Sequence, residues 1–281
     1  MLKRILMVGG DERALRAAPL LEAECYTVET LGLRAEDEKR AEIGAADALL
    51  FPYPFSARDG KVPTLTGLTL HAEDVLAAAG KGAAVLAGNG LDSFVDAANA
   101  AGAELSPLHY MQDELFMQKN AEISAEAAVY EAMRLSSKTL FDRRVLVTGY
   151  GRFGRATAKR LAALGAEVWA GARREEQRLL ALSDGMHAVT LDSLAQIAPR
   201  IDLVVNTIPC QVIGEKVLLA LPPDACLLEL ASAPYGFNRE AAKARRLYCE
   251  VLPALPARYA PDSAAKALSH ACVRLLSEGN L

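Results

Sequence analysis

Residues 145–174 read VLVTGYGRFGRATAKRLAALGAEVWAGARR. The apolar run from Val145 reads as a strand, Gly149, Gly151 and Gly154 give G-x-G-x-x-G directly behind it, and RATAKRLAAL continues with helical spacing and no breaker. Gly165 ends that helix, and the next strand begins at Glu167. The first glycine allows a tight turn, the second lets backbone approach a pyrophosphate, and the third lets helix and strand touch. The helix start adds free amides and positive potential. The unit reads as a dinucleotide cradle, with Gly149, Tyr150, Gly151, Arg152, Phe153 and Gly154 as its cofactor-binding residues.

The end of the second strand bears on which dinucleotide is held. An NAD site carries a carboxylate about 20 residues past the first glycine, where it binds the adenosine ribose. Here the sequence is Gly171-Ala172-Arg173-Arg174, with two guanidinium groups and no carboxylate. Bidentate, permanently charged donors suit a 2′-phosphate, so NADP is the expected cofactor. Asn206-Thr207-Ile208-Pro209 and Ala231-Ser232 follow later apolar strands, at the rim where open sheets bind ligands, and are expected to complete the cofactor site.

Outward from this unit, short apolar runs alternate with helical patterns along all 281 residues, so the fold class is α/β. Strands are expected at 145–148, 167–170, 188–190, 203–206, 226–230 and 248–251, the count of a Rossmann domain. Ahead of it, strands at 4–8, 26–30, 48–51 and 83–87, with helices at 11–23, 36–43, 73–79 and 91–101, form a smaller doubly wound, flavodoxin-like lobe. Long helical spacing over 113–138 joins the two lobes, and a helix over 263–276 is expected to return to the first. The domains are thus expected at 1–118 with 257–281, a connector at 119–142, and a dinucleotide domain at 143–256.

Composition narrows the function. With 31 Lys and Arg against 35 Asp and Glu, the net charge of −4 offers no basic field for nucleic acid. No apolar stretch approaches the roughly 20 residues of a membrane helix, and glycines break the first apolar run, so a cytoplasmic protein is expected. Five dispersed cysteines without C-x-x-C spacing read as buried free thiols, and no metal site is expected. In the first lobe, Gly9-Gly10-Asp11-Glu12-Arg13 repeats the strand, glycine and helix order, and Arg13 beside helix-terminal amides is a candidate for an anionic substrate.

Taken in order, VGGDER at 8–13, the Pro52–Ser56 loop, Asn120 with Ser124-Ala125-Glu126-Ala127, VLVTGYGRFG, GARR, NTIP, LAS and LPALPARYAPDSA at 252–264 resemble the dipicolinate synthase A-subunit family over the whole chain. The resemblance implies NADP-dependent oxidation of dihydrodipicolinate to pyridine-2,6-dicarboxylate, together with self-association and a flavoprotein-like B subunit. It implies a substrate site with Asp11, Arg13, Ser56, Asn120 and Ser124, and offers Glu126, Asp113 and His109 as candidate proton acceptors. Ala254, Ala257 and Ala265 stand where the family is richer in glycine, and Asp262 where lysine is usual. Shikimate-type or 2-hydroxy-acid dehydrogenases share the two-lobe plan, but the sequence has neither a shikimate-type Lys and Asp set nor a convincing His and Glu pair. A non-catalytic NADP-binding regulator is the other alternative.

Overall fold

A computed structural model of the chain describes residues 3–39, 45–53, 60–88, 90–135 and 138–279. It divides into two compact units, Met1–Asn120 with Pro256–Leu281, and Ala121–Leu255.

The first unit is built on β1 (Arg4–Val8), β2 (Thr27–Leu31), β3 (Ala46–Leu50), β6 (Ala79–Ala87) and β7 (Ser106–His109). They lie in the order β2-β1-β3-β6-β7, parallel throughout, which is the flavodoxin-like arrangement. The central strands are apolar on both faces because helices cover both sides, so Leu6, Leu49 and Val85 are buried among Val75, Leu91 and Val95. Two pieces have no signal in the apolar pattern. Ser106-Pro107-Leu108-His109 forms the edge strand, where proline's missing N–H costs nothing on the unpaired side. A two-residue hairpin, β4 (Lys61–Val62) and β5 (Leu70–His71), folds over the first glycine turn, where the carbonyl of Pro63 accepts from the Gly10 amide at 2.7 Å.

Helix α1 (Glu12–Ala23) starts at Asp11 as its N-cap, and α2 is Leu91–Ala100. The stretches expected as helices at 36–43 and 73–79 are 3-10 turns, Ala35–Lys39 and Ala72–Ala78, and residues 40–44 lie outside those described. The terminal helix, Pro261–Glu278, packs along α1, joined by Arg16 to Asp262 at 2.9 Å. Helix α3 (Glu114–Arg134) crosses the division between the units.

The second unit carries β8 (Arg144–Thr148), β9 (Glu167–Gly171), β10 (His187–Val189), β11 (Leu203–Asn206), β12 (Cys226–Glu229) and β13 (Tyr248–Val251). The order β10-β9-β8-β11-β12-β13, all parallel, is that of a Rossmann domain. Its switch point, where ligands bind in such sheets, lies between β8 and β11. Helices α4 (Arg152–Ala163) and α5 (Glu175–Ser183) follow β8 and β9.

Cys25 and Cys210 are exposed, contrary to the expectation of buried thiols, because both fall in turns beyond a helix or strand. Ala254 has φ of 56° and is exposed. An L-residue in this left-handed region costs about 1–2 kcal/mol, against about 0.5–1 kcal/mol for the extra unfolded-state freedom of glycine. Ala254→Gly is therefore expected to raise the free energy of unfolding by about 0.5–1 kcal/mol in denaturant titration, and a loss of stability would contradict the strain.

Candidate functional site

The glycine turn after β8 has the geometry that its spacing demands. Gly149 takes φ of 92°, and a Cβ there would overlap the side chain of Thr207. A Cβ on Gly154 would overlap the Gly149 carbonyl, so only glycine lets α4 pass this close to the strand. A Cβ on Gly151 would meet nothing within 4 Å, and Gly151 is the N-cap of α4 with no side chain capping the helix. An uncapped helix start of this kind can receive a pyrophosphate on its free amides.

This turn is held from behind. Tyr150 is buried and its hydroxyl donates to Asp184 at 3.0 Å, while Arg155 reaches the same carboxylate at 2.6 and 3.0 Å. Tyr150 therefore faces the interior and can offer a ligand only its backbone. Arg155 and Asp184 are not visible as a pair in the sequence, since 29 residues separate them and only the topology joins them.

At the end of β9, Gly171 accepts from the Gly149 amide at 2.8 Å, tying the two turns together. Arg173 and Arg174 are exposed, and neither guanidinium forms an ion pair among the described residues. The loop that carries them is fixed by Arg178, which donates to the carbonyls of Ala172 and Arg173 at 3.1 and 2.6 Å. Arg178 escapes sequence reasoning because one turn into α5 it reads as an ordinary surface charge.

Asn206 departs from expectation. It is fully buried, with Oδ1 accepting from Thr148 Oγ1 at 2.6 Å and Nδ2 donating to Glu229 Oε1 at 2.6 Å and to the Ile208 carbonyl at 2.9 Å. Its amide is spent inside the protein, so it shapes the loop and does not face a ligand. Thr207 donates to the Thr148 carbonyl at 2.8 Å and packs on Gly149, while Ile208, Pro209, Ala231 and Ser232 reach the surface to differing degrees.

In the first unit, the α1 N-terminus is closed on itself. Asp11 accepts from the Arg13 amide at 3.0 Å and holds the Arg13 guanidinium through Nε and Nη2, the latter at 2.8 Å. Arg13 Nη2 also donates to the Tyr53 carbonyl at 3.1 Å. Asp11 and Arg13 thus neutralise each other, leaving Nη1 as the unassigned edge of the guanidinium. They line a small cavity with Tyr53, Tyr110, Phe116 and Leu268.

Of the candidate proton acceptors, Asp113 accepts from the Phe116 amide at 2.6 Å and from Arg274 at 2.6 and 2.8 Å. Burial pushes its carboxyl up, but Arg274 and the amide outweigh burial and hold it below the usual range, which makes it a cap and ion-pair partner and a poor base. His109 Nε2 is 2.9 Å from Asp92, and Glu126 is exposed beside Arg160 at 3.6 Å. Asn120 and Ser124 are one turn apart on α3, the latter buried. Ser56 lies outside the described residues.

The Asp184 brace gives a measurable consequence. Its carboxylate is 10% exposed and is held below the usual range by Arg155 and then Tyr150. Stability from an ionised group of this kind is complete above the unfolded value of about 3.9 and is lost as pH falls through the folded one. Asp184→Asn is expected to lower unfolding free energy by about 2 kcal/mol at pH 7, with the gap from the unaltered chain closing below about pH 4. A gap independent of pH would contradict the assignment.

Residues 4–109 match the N-terminal domain of the dipicolinate synthase A-subunit, and residues 114–235 match the D-isomer specific 2-hydroxyacid dehydrogenase NAD binding domain. The dipicolinate synthase A-subunit of Bacillus subtilis (strain 168) is 31% identical over 159 residues, a stretch spanning 57% of this chain and 54% of that relative, about half its length. The crystal structure of the dipicolinate synthase A-subunit from Bacillus halodurans superposes with a TM-score of 0.87 and 26% identity, covering 98% of each chain. The crystal structure of its Bacillus subtilis counterpart superposes at 0.83 and 24% identity, over 99% of this chain and 97% of that one, a likeness of fold. The cofactor site is therefore that of a nicotinamide dinucleotide, in an oxidoreductase-type domain whose cradle has the required space at Gly151. The chain is thus similar to the dipicolinate synthase A-subunits, by sequence in its first unit and in fold along nearly its whole length.

Proposed function

We propose that this chain oxidises dihydrodipicolinate to pyridine-2,6-dicarboxylate with NADP. The observation that carries the reading is the conjunction of an uncapped α4 N-terminus, open at Gly151, with two exposed arginines at the end of β9 that form no ion pair among the described residues. NADP supplies the hydride acceptor when bound. The backbone of 149–154 holds its pyrophosphate, and Arg173 and Arg174 grip the 2′-phosphate that distinguishes it from NAD. The substrate ring loses a hydride and a proton and becomes aromatic, so driving force is supplied by the product, and the protein's task is positioning and exclusion of water. Arg13, through Nη1, is assigned to a substrate carboxylate.

The proposal extends to partnership with a flavoprotein-like B subunit, by analogy with the lettered naming of the relatives. It includes a cytoplasmic location, in keeping with the lack, among the described residues, of any helix long and apolar enough to cross a membrane. Self-association is proposed from the exposed Tyr130, Met133 and Phe141 of the second unit.

Purified chain, mixed with its partner protein and freshly made dihydrodipicolinate, is expected to reduce NADP and yield pyridine-2,6-dicarboxylate. Failure of both, with NADP binding intact, would overturn the substrate assignment. Arg173→Ala is expected to weaken NADP binding by about ten- to a hundredfold, the value of a hydrogen bond to a charged group, with NAD changed far less. Equal losses for the two cofactors would refute the phosphate clamp.

A further inference from the structure

Three polar side chains occupy the last position of three adjacent central strands: Thr148 on β8, Asn206 on β11 and Glu229 on β12. The parallel register sets Thr148 beside Asn206 and Asn206 beside Glu229, and all three are completely buried. Buried polar groups persist only when bonded, and these bond one another in a row. Thr148 donates to Asn206, and Asn206 donates to Glu229, both at 2.6 Å.

Glu229 accepts three hydrogen bonds and faces no cation among the described residues. Oε1 takes the Asn206 amide and the Ala231 N–H at 3.0 Å, and Oε2 takes the Gly236 N–H at 2.7 Å. The Gly236 carbonyl then accepts from the amides of Val212 and Ile213 at 3.0 and 2.8 Å. One carboxylate thereby fixes both loops at the rim of β11 and β12, that of 206–213 through Asn206 and Gly236, and that of 231–236 directly. Burial pushes this carboxyl up and the three donors pull it back. A neutral amide could not replace it, since one of its two ends would present a donor to a donor.

We propose that Glu229 is a positioning residue for the nicotinamide half of the cofactor, acting through Asn206 and Gly236 without touching the ligand. The inference rests on the cofactor reading above. Those two loops lie beyond the carboxyl ends of the strands next to the switch point, whereas the adenosine half is assigned to the turns after β8 and β9. Their frame, and not a contact, is what Glu229 supplies.

Calorimetric titration of the full chain with NADP and with 2′,5′-ADP, which lacks the nicotinamide half, separates this from a general structural role. Glu229→Gln is expected to weaken NADP by at least about tenfold while 2′,5′-ADP changes by less than about twofold. Loss of both ligands by the same factor in a folded variant, or of neither, would overturn the proposal. Should Glu229→Gln not fold, Thr148→Val removes one donor from the same row without a change of volume, and a split in the same direction of about threefold is expected; no split there would also overturn it. If the unaltered chain bound 2′,5′-ADP and NADP not at all, the cofactor reading itself would fall, and this inference with it.

Discussion

The second unit depends on one close approach: α4 starts against the end of β8 with no room for a side chain between them. Because a Cβ at Gly154 would overlap the Gly149 carbonyl, α4 can start this close to the end of β8 only while both positions are glycine. Everything assigned to the cofactor follows from that approach. The brace of Tyr150 and Arg155 on Asp184 keeps the turn in place from the protein side, and the bond from the Gly149 amide to Gly171 brings the second strand's end, with its arginines, to the same rim.

Packing alone would leave the remaining strand ends free to vary, and the buried polar row prevents this. An apolar residue at Thr148, Asn206 or Glu229 could pack as well, but apolar contact is non-directional and would fix neither loop. Hydrogen bonds across β8, β11 and β12 are directional, and a missing partner leaves a buried group unsatisfied at a cost of about 1–3 kcal/mol. Such a row adds little net stability and much definition, which is the property a rim of loops needs if it is to hold a ligand in one orientation.

How far these features can be read in advance depends on their range along the chain. The glycine motif, the Rossmann strand count and the absence of a carboxylate at 171–174 are local patterns, and the sequence carries them in full. The edge strand at Ser106–His109 stays hidden because proline and a half-polar composition erase the apolar run that marks a strand. Thr148 and Asn206 are 58 residues apart, and Asn206 and Glu229 are 23 apart, so their pairing exists only after the sheet order is known. Asn206 consequently reads as a ligand contact, the ordinary meaning of a polar residue at a strand end. The acidic candidates fail similarly: Asp113 has no local mark of its partner Arg274, which lies 161 residues away.

The two units offer a comparison within one molecule. Both begin with a parallel strand, a glycine turn and a helix, and the resemblance between Gly9-Gly10-Asp11 and Gly149-Tyr150-Gly151 suggests two anion sites. The structure makes them opposites, and the difference is the N-cap. Asp11 brings a carboxylate that takes the Arg13 amide and then the Arg13 guanidinium, and the hairpin carbonyl of Pro63 takes the Gly10 amide, so the Arg13 charge and both of these amides are used within the protein. Gly151 brings no side chain, and nothing of the protein fills the space a Cβ would occupy. The same backbone plan thus becomes a self-satisfied helix start in one unit and a ligand cradle in the other, decided by whether the residue at the cap supplies its own anion. On the proposed function, carboxylate binding in the first unit falls to side chains, through the remaining edge of Arg13, as 2′-phosphate binding in the second falls to Arg173 and Arg174.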